Sequence, residues 1–176
     1  MKIRDMDRNY VLHLFVQACA AVVFMWLVLF ALENVAASQI IWAAGASTLA
    51  SSSYIVFCAP QAVVAKPQKI IGAYIIAMLC GEAMRQLANV VCNVILSCHL
   101  GGLTYLHVFE IAAGVSVGIA LLLMILFKSE HPPAAGLAVV MVLDIRNWAA
   151  LAIILSGAIV LSLIRIIFRR RLCNLI

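Results

Sequence analysis

Residues 128–143 read KSEHPPAAGLAVVMVL, and this stretch decides the fold of the chain. Pro132 and Pro133 lack a backbone donor and hold φ near the helical value, so they are tolerated only before or within the first turn of a helix. The apolar run that follows them ends at Asp144. The sequence therefore predicts a short helix that begins near Pro133 and ends near Leu143.

This short helix is about half as long as a membrane span. It would rise about 16 Å, whereas the hydrocarbon core of a bilayer is about 30 Å thick. To cross the membrane, the segment must include residues 131–133 in an extended form, which places the helix N-terminus inside the bilayer. Non-helical backbone at that depth survives only inside protein or beside a water-filled cavity, and many transporters build substrate sites from such broken helices.

The composition is that of an integral membrane protein. The 176 residues are 66% hydrophobic and 11% charged, with a mean hydropathy of +1.15, so a soluble domain is excluded and the lipid bilayer is the expected partner. The net charge of +5 comes from Lys and Arg residues that flank apolar runs, which indicates membrane topology and not nucleic-acid binding. The spacing of Cys98, His99 and His107 matches no common zinc site, and no Gly-rich phosphate-binding loop is present, so we expect no metal and no cofactor.

Six membrane-crossing segments are predicted within a single transmembrane domain that covers residues 1–176. Their approximate bounds are 10–32, 38–59, 70–95, 106–127, 133–143 and 148–168. If the short fifth segment crosses the membrane, all the Lys and Arg clusters lie on one side, as the positive-inside rule requires. A re-entrant fifth segment would put the Arg residues at 169–171 on the opposite side. We therefore expect both termini in the cytoplasm, with the chain in a bacterial inner membrane.

The six segments divide into two triplets, residues 10–96 and 106–168, which begin on opposite sides of the membrane. The middle member of each triplet carries an irregular stretch, Gly-Ala-Ser at 45–47 in the second segment and His-Pro-Pro at 131–133 in the fifth. This placement predicts an all-α polytopic fold of two inverted three-helix repeats, whose broken middle helices meet near the midplane. The two halves share little residue identity, so the prediction depends on position alone.

Residues 40–165 resemble the HPP family of integral membrane proteins. The resemblance is carried by the His-Pro-Pro and Gly-Ala-Ser stretches together with Pro60, Ala65-Lys66-Pro67, Ile71-Gly72 and Gly81. Because chloroplast members are associated with nitrite transport, the resemblance implies a transporter or channel for a small inorganic anion, with nitrite as the leading candidate. The chain departs from the family where Ala134 and Ala135 replace common glycines and where Ala73-Tyr74 replaces a frequent Gly-His. These departures leave the substrate open.

Two opposed half-helix N-termini would form an anion site, because each presents unpaired backbone N–H groups and the positive end of a helix dipole. The residues predicted to bind the anion are Gly45, Ala46, Ser47, Thr48, Arg85, His131, Pro132, Pro133, Ala134, Ala135 and Gly136. Two alternatives remain open. In the first, residues 45–47 are ordinary packing residues of an unbroken helix. In the second, the HPP turn, residues 128–133, is a plain interfacial loop.

The third segment carries two ionisable residues near its centre. Glu82 and Arg85 are three residues apart, so they can pair on one face of a helix. Ionisable residues at mid-span are costly unless they are paired or hydrated, so they normally face the protein interior. In one interpretation Arg85 attracts the anion, and Glu82 orients Arg85 or accepts a proton during gating. In the other, the pair locks helices together or lies at a subunit interface. His131 could likewise couple transport to a proton, or act only as a cap or a donor to a carbonyl.

Three classes of function are compatible with these features to different degrees. The first is a transporter or channel for a small anion. The second, an intramembrane enzyme, is not expected, because no His-Glu-x-x-His helix or Gly-x-Ser-x-Gly turn is present. The third is a structural or assembly protein, which requires that Glu82 and Arg85 be fully packed and that Ser47 and the HPP turn line no cavity. We also expect a homo-oligomer, which would shield the polar faces of six short spans.

Overall fold

The computed structural model describes residues 8–34, 39–97, 105–143, 148–169 and 171–175. Within these ranges the chain forms six α-helices and no strand, so the predicted all-α fold is confirmed. The helices are α1 (Arg8–Glu33), α2 (Gln39–Cys58), α3 (Pro67–Ser97), α4 (Tyr105–Leu126), α5 (Pro132–Leu143) and α6 (Trp148–Phe168). The basic residues before Arg8, the predicted loop with Cys98 and His99, and Asp144 lie outside the described residues.

Four helices contain stretches that are long and apolar enough to cross a membrane. These stretches are Tyr10–Glu33, Pro67–Val94, His107–Leu126 and Trp148–Phe168. Two shorter apolar helices, Ala43–Cys58 and Pro132–Leu143, pack among them. Helices that are apolar on all sides require lipid or protein around them, so the chain is an integral membrane protein.

Contacts between helices give the relative directions of α2, α5 and α6. His131 contacts Ser52 and Gly136 faces Thr48, so α5 runs antiparallel to α2. In contrast, α6 runs parallel to α2. A methyl group added at Gly45 of α2 would lie within 3 Å of Ile154 of α6, and one added at Gly157 of α6 would lie within 3 Å of Leu49 of α2, so residue numbers increase in the same direction along both helices. The fifth segment therefore runs through the bundle beside α2. The relation of the two triplets as inverted repeats stays a prediction.

Several charged and polar segments of the described residues meet at one end of the bundle. Three contacts tie these segments together: the Lys69–Glu130 ion pair, the bond from Arg165 Nε to the Pro60 carbonyl at 3.1 Å, and the bond from Tyr10 Oη to the Leu175 carbonyl at 3.0 Å. The first residues of α1 and the C-terminal segment thus lie side by side. The side of the membrane on which the basic clusters lie stays a prediction.

The predicted short helix after the two prolines is confirmed. α5 begins at Pro132 and has 12 residues, and no helix is formed over residues 127–131. α4 ends with a Schellman motif, in which Lys128 takes a left-handed φ of 54° and the N–H of Ser129 donates to the Met124 carbonyl at 2.7 Å. This motif stops α4 and lets the two prolines start a new helix.

The predicted break in the second segment is wrong. α2 continues without interruption through Gly45 and Ser47. Gly45 allows close packing instead, because a methyl group there would lie 2.7 Å from Ile154 Cδ1. Thr48 Oγ1 donates to the Gly45 carbonyl at 2.9 Å, within the same helix. The alternative interpretation, packing residues in an unbroken helix, is therefore correct.

Candidate functional site

A buried chain of hydrogen bonds lies at the start of α5. Tyr74 Oη lies 2.9 Å from Ser52 Oγ, and Ser52 Oγ lies 2.9 Å from His131 Nε2. On the other side of the imidazole, Nδ1 lies 2.9 Å from the Val64 carbonyl oxygen. All three side chains are 0% exposed. We call the side chains of Tyr74, Ser52 and His131, with the Val64 carbonyl, the polar chain.

Local structure brings these groups together from four elements. Ser52 lies on α2 and Tyr74 on α3, while His131 precedes the two prolines that start α5. The Val64 carbonyl belongs to a short 3₁₀ helix, Val63–Ala65, in the connection between α2 and α3. That connection, residues 59–66, covers His131 and is called the cover below.

The hydrogen bonds constrain where the protons lie. A carbonyl oxygen only accepts, so the contact with Val64 requires a proton on His131 Nδ1. If the imidazole is neutral, Nε2 accepts from the Ser52 hydroxyl, and Ser52 in turn accepts from Tyr74. Ser52 Oγ is also 3.0 Å from the Thr48 carbonyl. If it donates there, Nε2 must carry a proton too, and the imidazole is then a cation.

The polar chain can therefore hold or release one proton with little movement of heavy atoms. The ion pairs of the described part of the chain, Lys69–Glu130 and Glu82–Arg85, do not include its members. The same ranges contain no group of three His, Cys, Asp or Glu side chains that could hold a metal ion. The chemistry available at this position is hydrogen bonding and proton transfer.

The N-terminus of α5 differs from the predicted cradle of free amides. Pro132 and Pro133 carry no N–H, and the N–H of Ala134 donates to the His131 carbonyl at 3.0 Å. Because α2 has no N-terminus at Gly45, two opposed half-helix N-termini do not exist, and that part of the anion-site prediction is wrong. The positive end of the α5 dipole still lies next to His131.

The structure brings together only some of the predicted binding residues. A methyl group on Gly136 would lie 3.5 Å from Thr48 Cγ2, one helical turn from Ser52. Ala46 is buried in the core, whereas Ser47 is exposed and donates to the Ala44 carbonyl at 2.9 Å. At the start of α5, Pro132 is exposed, Pro133 is partly buried, and Ala134 and Ala135 are buried.

Glu82 and Arg85 form a separate polar site on α3. Two hydrogen bonds join them, Nη2 to Oε1 at 2.7 Å and Nε to Oε2 at 2.9 Å, and Gln86 also donates to Glu82. Their side chains are 26% and 19% exposed, respectively. Eleven residues separate Tyr74 from Arg85, which corresponds to a rise of about 16 Å. The pair is confirmed, but its place beside an anion path stays a prediction.

Sequence reasoning missed two members of the polar chain, Ser52 and Tyr74. Both carried a signal. Ser52 follows Thr48 by four residues and so shares its helix face. Tyr74 carries a hydroxyl group in the apolar first half of α3. Neither signal predicts the contact itself, because Ser52 is 22 positions from Tyr74 and 79 from His131.

These features define a polytopic α-helical membrane protein with a half-length fifth helix that starts at a buried polar chain. Residues 6–173 match the family described as HPP, transmembrane region, so the chain belongs to the HPP family of membrane proteins. No curated protein and no solved structure matches the chain.

Proposed function

We propose that this HPP-family protein is a transporter or channel for a small monovalent anion, with nitrite as the first substrate to test. The observation that carries the proposal is the burial of Tyr74, Ser52 and His131 at the start of a half-length helix. Polar groups inside a membrane bundle are costly, and in membrane proteins they commonly mark substrate or proton pathways. We infer specificity for an anion from the family resemblance and from the hydrogen-bond donors of the polar chain.

The polar chain offers what a small anion needs. Tyr74, Ser52 and His131 are hydrogen-bond donors, and the positive end of the α5 dipole adds a favourable potential. In the described arrangement the donors bond to one another and are fully buried. An anion would therefore replace hydrogen bonds within the polar chain after the cover moves away from His131. The Lys69–Glu130 pair and the bond from Arg165 to Pro60 hold the closed arrangement.

Proton coupling is part of the proposal. An anion accepting a hydrogen bond from Nε2 would favour the imidazolium form of His131, because the anion supplies the charge partner that the closed bundle lacks. One proton would then accompany one anion. Arg85 serves in this proposal as a second cation along the path, with Glu82 fixing its orientation during gating.

Three further features complete the proposal. The protein carries out no chemical transformation, its membrane is a bacterial inner membrane, and both termini lie in the cytoplasm. The contact between Tyr10 and Leu175 supports a common side for the two ends. A reporter that is active only in the cytoplasm, fused after Ile176, should be active; an inactive fusion in a protein that inserts normally would contradict this orientation.

Flux into proteoliposomes tests the proposed activity. We expect the wild type to carry nitrite faster at an external pH below neutral than above it, since transport takes up protons. His131→Ala should remove this pH dependence, and Arg85→Ala should lower the flux by about tenfold or more if the cation lines the path. If the wild type moves neither nitrite nor nitrate, formate or chloride above empty liposomes, anion transport is contradicted.

A structural or assembly role is the second candidate, and one observation favours it. Every member of the polar chain has a partner within the bundle, as in a network that only fixes helix positions. However, this role requires Glu82 and Arg85 to be fully packed, whereas both side chains are partly exposed. A protein that moves no anion but unfolds when the polar chain is disrupted would establish this role.

We also propose that the protein forms a homo-oligomer. The outward face of α4 carries Glu110, which is exposed within the span His107–Leu126. It also carries Gly114 and Gly118, where an added methyl group would meet no other described side chain or neighbouring helix within 4 Å. Two glycines at this spacing allow close helix contact between copies. We expect a mass above that of one chain in detergent, and a smaller mass for Gly114→Leu. A wild type of single-chain mass would contradict the proposal.

A further inference from the structure

A groove runs between α1 and α6 on the outer surface of the bundle. Its volume is about 680 Å³. Most of its lining is apolar and includes Val16, Val23, Phe24, Leu27, Val160 and Ile164. A groove of this size and polarity fits an aliphatic chain and offers little to a small anion. It is therefore distinct from the polar chain.

The polar residues of the groove lie at one end. His13, Gln17 and Arg171 line the end where Tyr10 and Leu175 meet, whereas Leu27 lies ten residues further along α1, a rise of about 15 Å. Among the described residues, no Asp or Glu lines the groove, and Arg171 is exposed. The groove thus has a cationic polar end near the membrane surface and an apolar end towards the bilayer centre, which is the polarity of a phospholipid.

Gln17 provides a second, independent observation. Its Nε2 donates to the carbonyls of Phe57 and Cys173, and these two acceptors fix the orientation of the amide. Gln17 is 3% exposed, and its Oε1 has no hydrogen-bond donor among the described residues. A buried acceptor without a partner is costly and calls for a donor from outside the chain.

We infer that the groove binds one anionic phospholipid, with its acyl chains between α1 and α6 and its phosphate at Arg171. The headgroup should carry a hydroxyl, as phosphatidylglycerol does, because a hydroxyl can donate to Gln17 Oε1. A choline headgroup has no such donor. An ethanolamine headgroup has one but cancels the negative charge that Arg171 attracts. The lipid would join α1 to the C-terminal segment, which α1 already contacts through Gln17 and Cys173.

Lipid binding to the detergent-purified full chain tests this inference. Native mass spectrometry would compare phosphatidylglycerol, phosphatidylethanolamine and phosphatidylcholine with identical acyl chains. We expect retention of one phosphatidylglycerol, with the other two lipids retained about tenfold less. Equal retention of all three lipids would overturn the headgroup assignment, and no retention of phosphatidylglycerol would overturn the site.

Matched variants locate the lipid. Ala20→Phe fills the groove from an exposed position, and Arg171→Gln removes the cation; both should lower phosphatidylglycerol retention by about tenfold. The controls, Ala83→Phe on the exposed face of α3 and Arg169→Gln beside the groove, should retain the lipid. Equal retention by Ala20→Phe and Ala83→Phe would overturn the inference, and each variant's unfolding temperature would show that the comparison is between folded proteins.

Discussion

The direction of the Ser52 hydroxyl hydrogen is linked to the charge that His131 carries. When it points to Nε2, the imidazole is neutral; when it points to the Thr48 carbonyl, Nε2 needs its own proton. The Val64 carbonyl holds the Nδ1 proton in both states. Uptake of one proton at Nε2, together with rotation of the Ser52 hydroxyl, thus separates a neutral bundle from one with a buried cation, and an anion would stabilise the second state.

Ser52→Ala should destabilise the protein. The substitution leaves Tyr74 Oη and His131 Nε2 without their shared partner, and an unsatisfied buried polar group costs about 1–3 kcal/mol. The unfolding temperature in detergent should fall clearly. Ser51→Ala is the matched control, because Ser51 is exposed and its hydroxyl donates to the Ser47 carbonyl of its own helix. Equal unfolding temperatures for the two variants would show that the polar chain adds no stability.

The contacts within the polar chain could not be predicted from the sequence. The importance of His131 follows from its place before two prolines, and the i, i+4 relation of Thr48 and Ser52 is visible in the sequence. However, Ser52 on α2, Tyr74 on α3 and His131 in the turn before α5 are far apart in sequence. Which hydroxyl meets the imidazole depends on how α2, α3 and α5 are packed, and hydrophobic patterns do not fix that register.

At the scale of elements, α5 depends on close packing against α3. A methyl group on Gly81 would collide with Met141 and lie 2.7 Å from the Ala138 carbonyl oxygen. A similar contact occurs nearer the start of α5, where a methyl group on Gly72 would lie 2.7 Å from Ser129 Oγ. These glycines hold the short helix against the longer one, which places His131 level with Tyr74.

Gly81→Ala should therefore disturb α5. Because one of the opposing atoms is backbone, the two helices must separate, at a cost of about 1–3 kcal/mol. Gly136→Ala is the control: the added methyl group would be in ordinary contact with Thr48 Cγ2 at 3.5 Å, and alanine favours a helix over glycine by about 1 kcal/mol. In detergent, the unfolding temperature of Gly81→Ala should fall below that of the wild type, and the unfolding temperature of the control should rise above it. A Gly81→Ala protein as stable as the wild type would contradict the packing described.

Two irregular elements were predicted from sequence, and only one exists. Pro132 and Pro133 restrict the backbone by covalent geometry, so the start of α5 could be placed correctly. The small residues at 45–47 restrict nothing by themselves. They permit either a break or close packing, and contact with Ile154 selects packing. Small residues in a membrane helix therefore predict a close approach more securely than a break.

At the scale of the whole molecule, polarity is distributed unevenly along the bundle. The cover, the turn before α5 and the C-terminal segment meet at one end, with Lys69–Glu130 and Arg165–Pro60 among their contacts. The polar chain lies inside this end, directly under the cover. A path for an anion would therefore open first at the basic side, where Lys and Arg residues raise the local concentration of anions.

The central claim is that the polar chain is the transport site, and nitrite flux through Tyr74→Phe proteoliposomes tests it most directly. This variant removes one oxygen atom and keeps the ring, so the bundle should fold. Tyr54→Phe is the matched control, since Tyr54 lies on α2 with 56% exposure. We predict that Tyr74→Phe lowers the flux by about tenfold, as expected for loss of one buried hydrogen bond, while Tyr54→Phe leaves it unchanged. Equal flux through both variants and the wild type would contradict the claim.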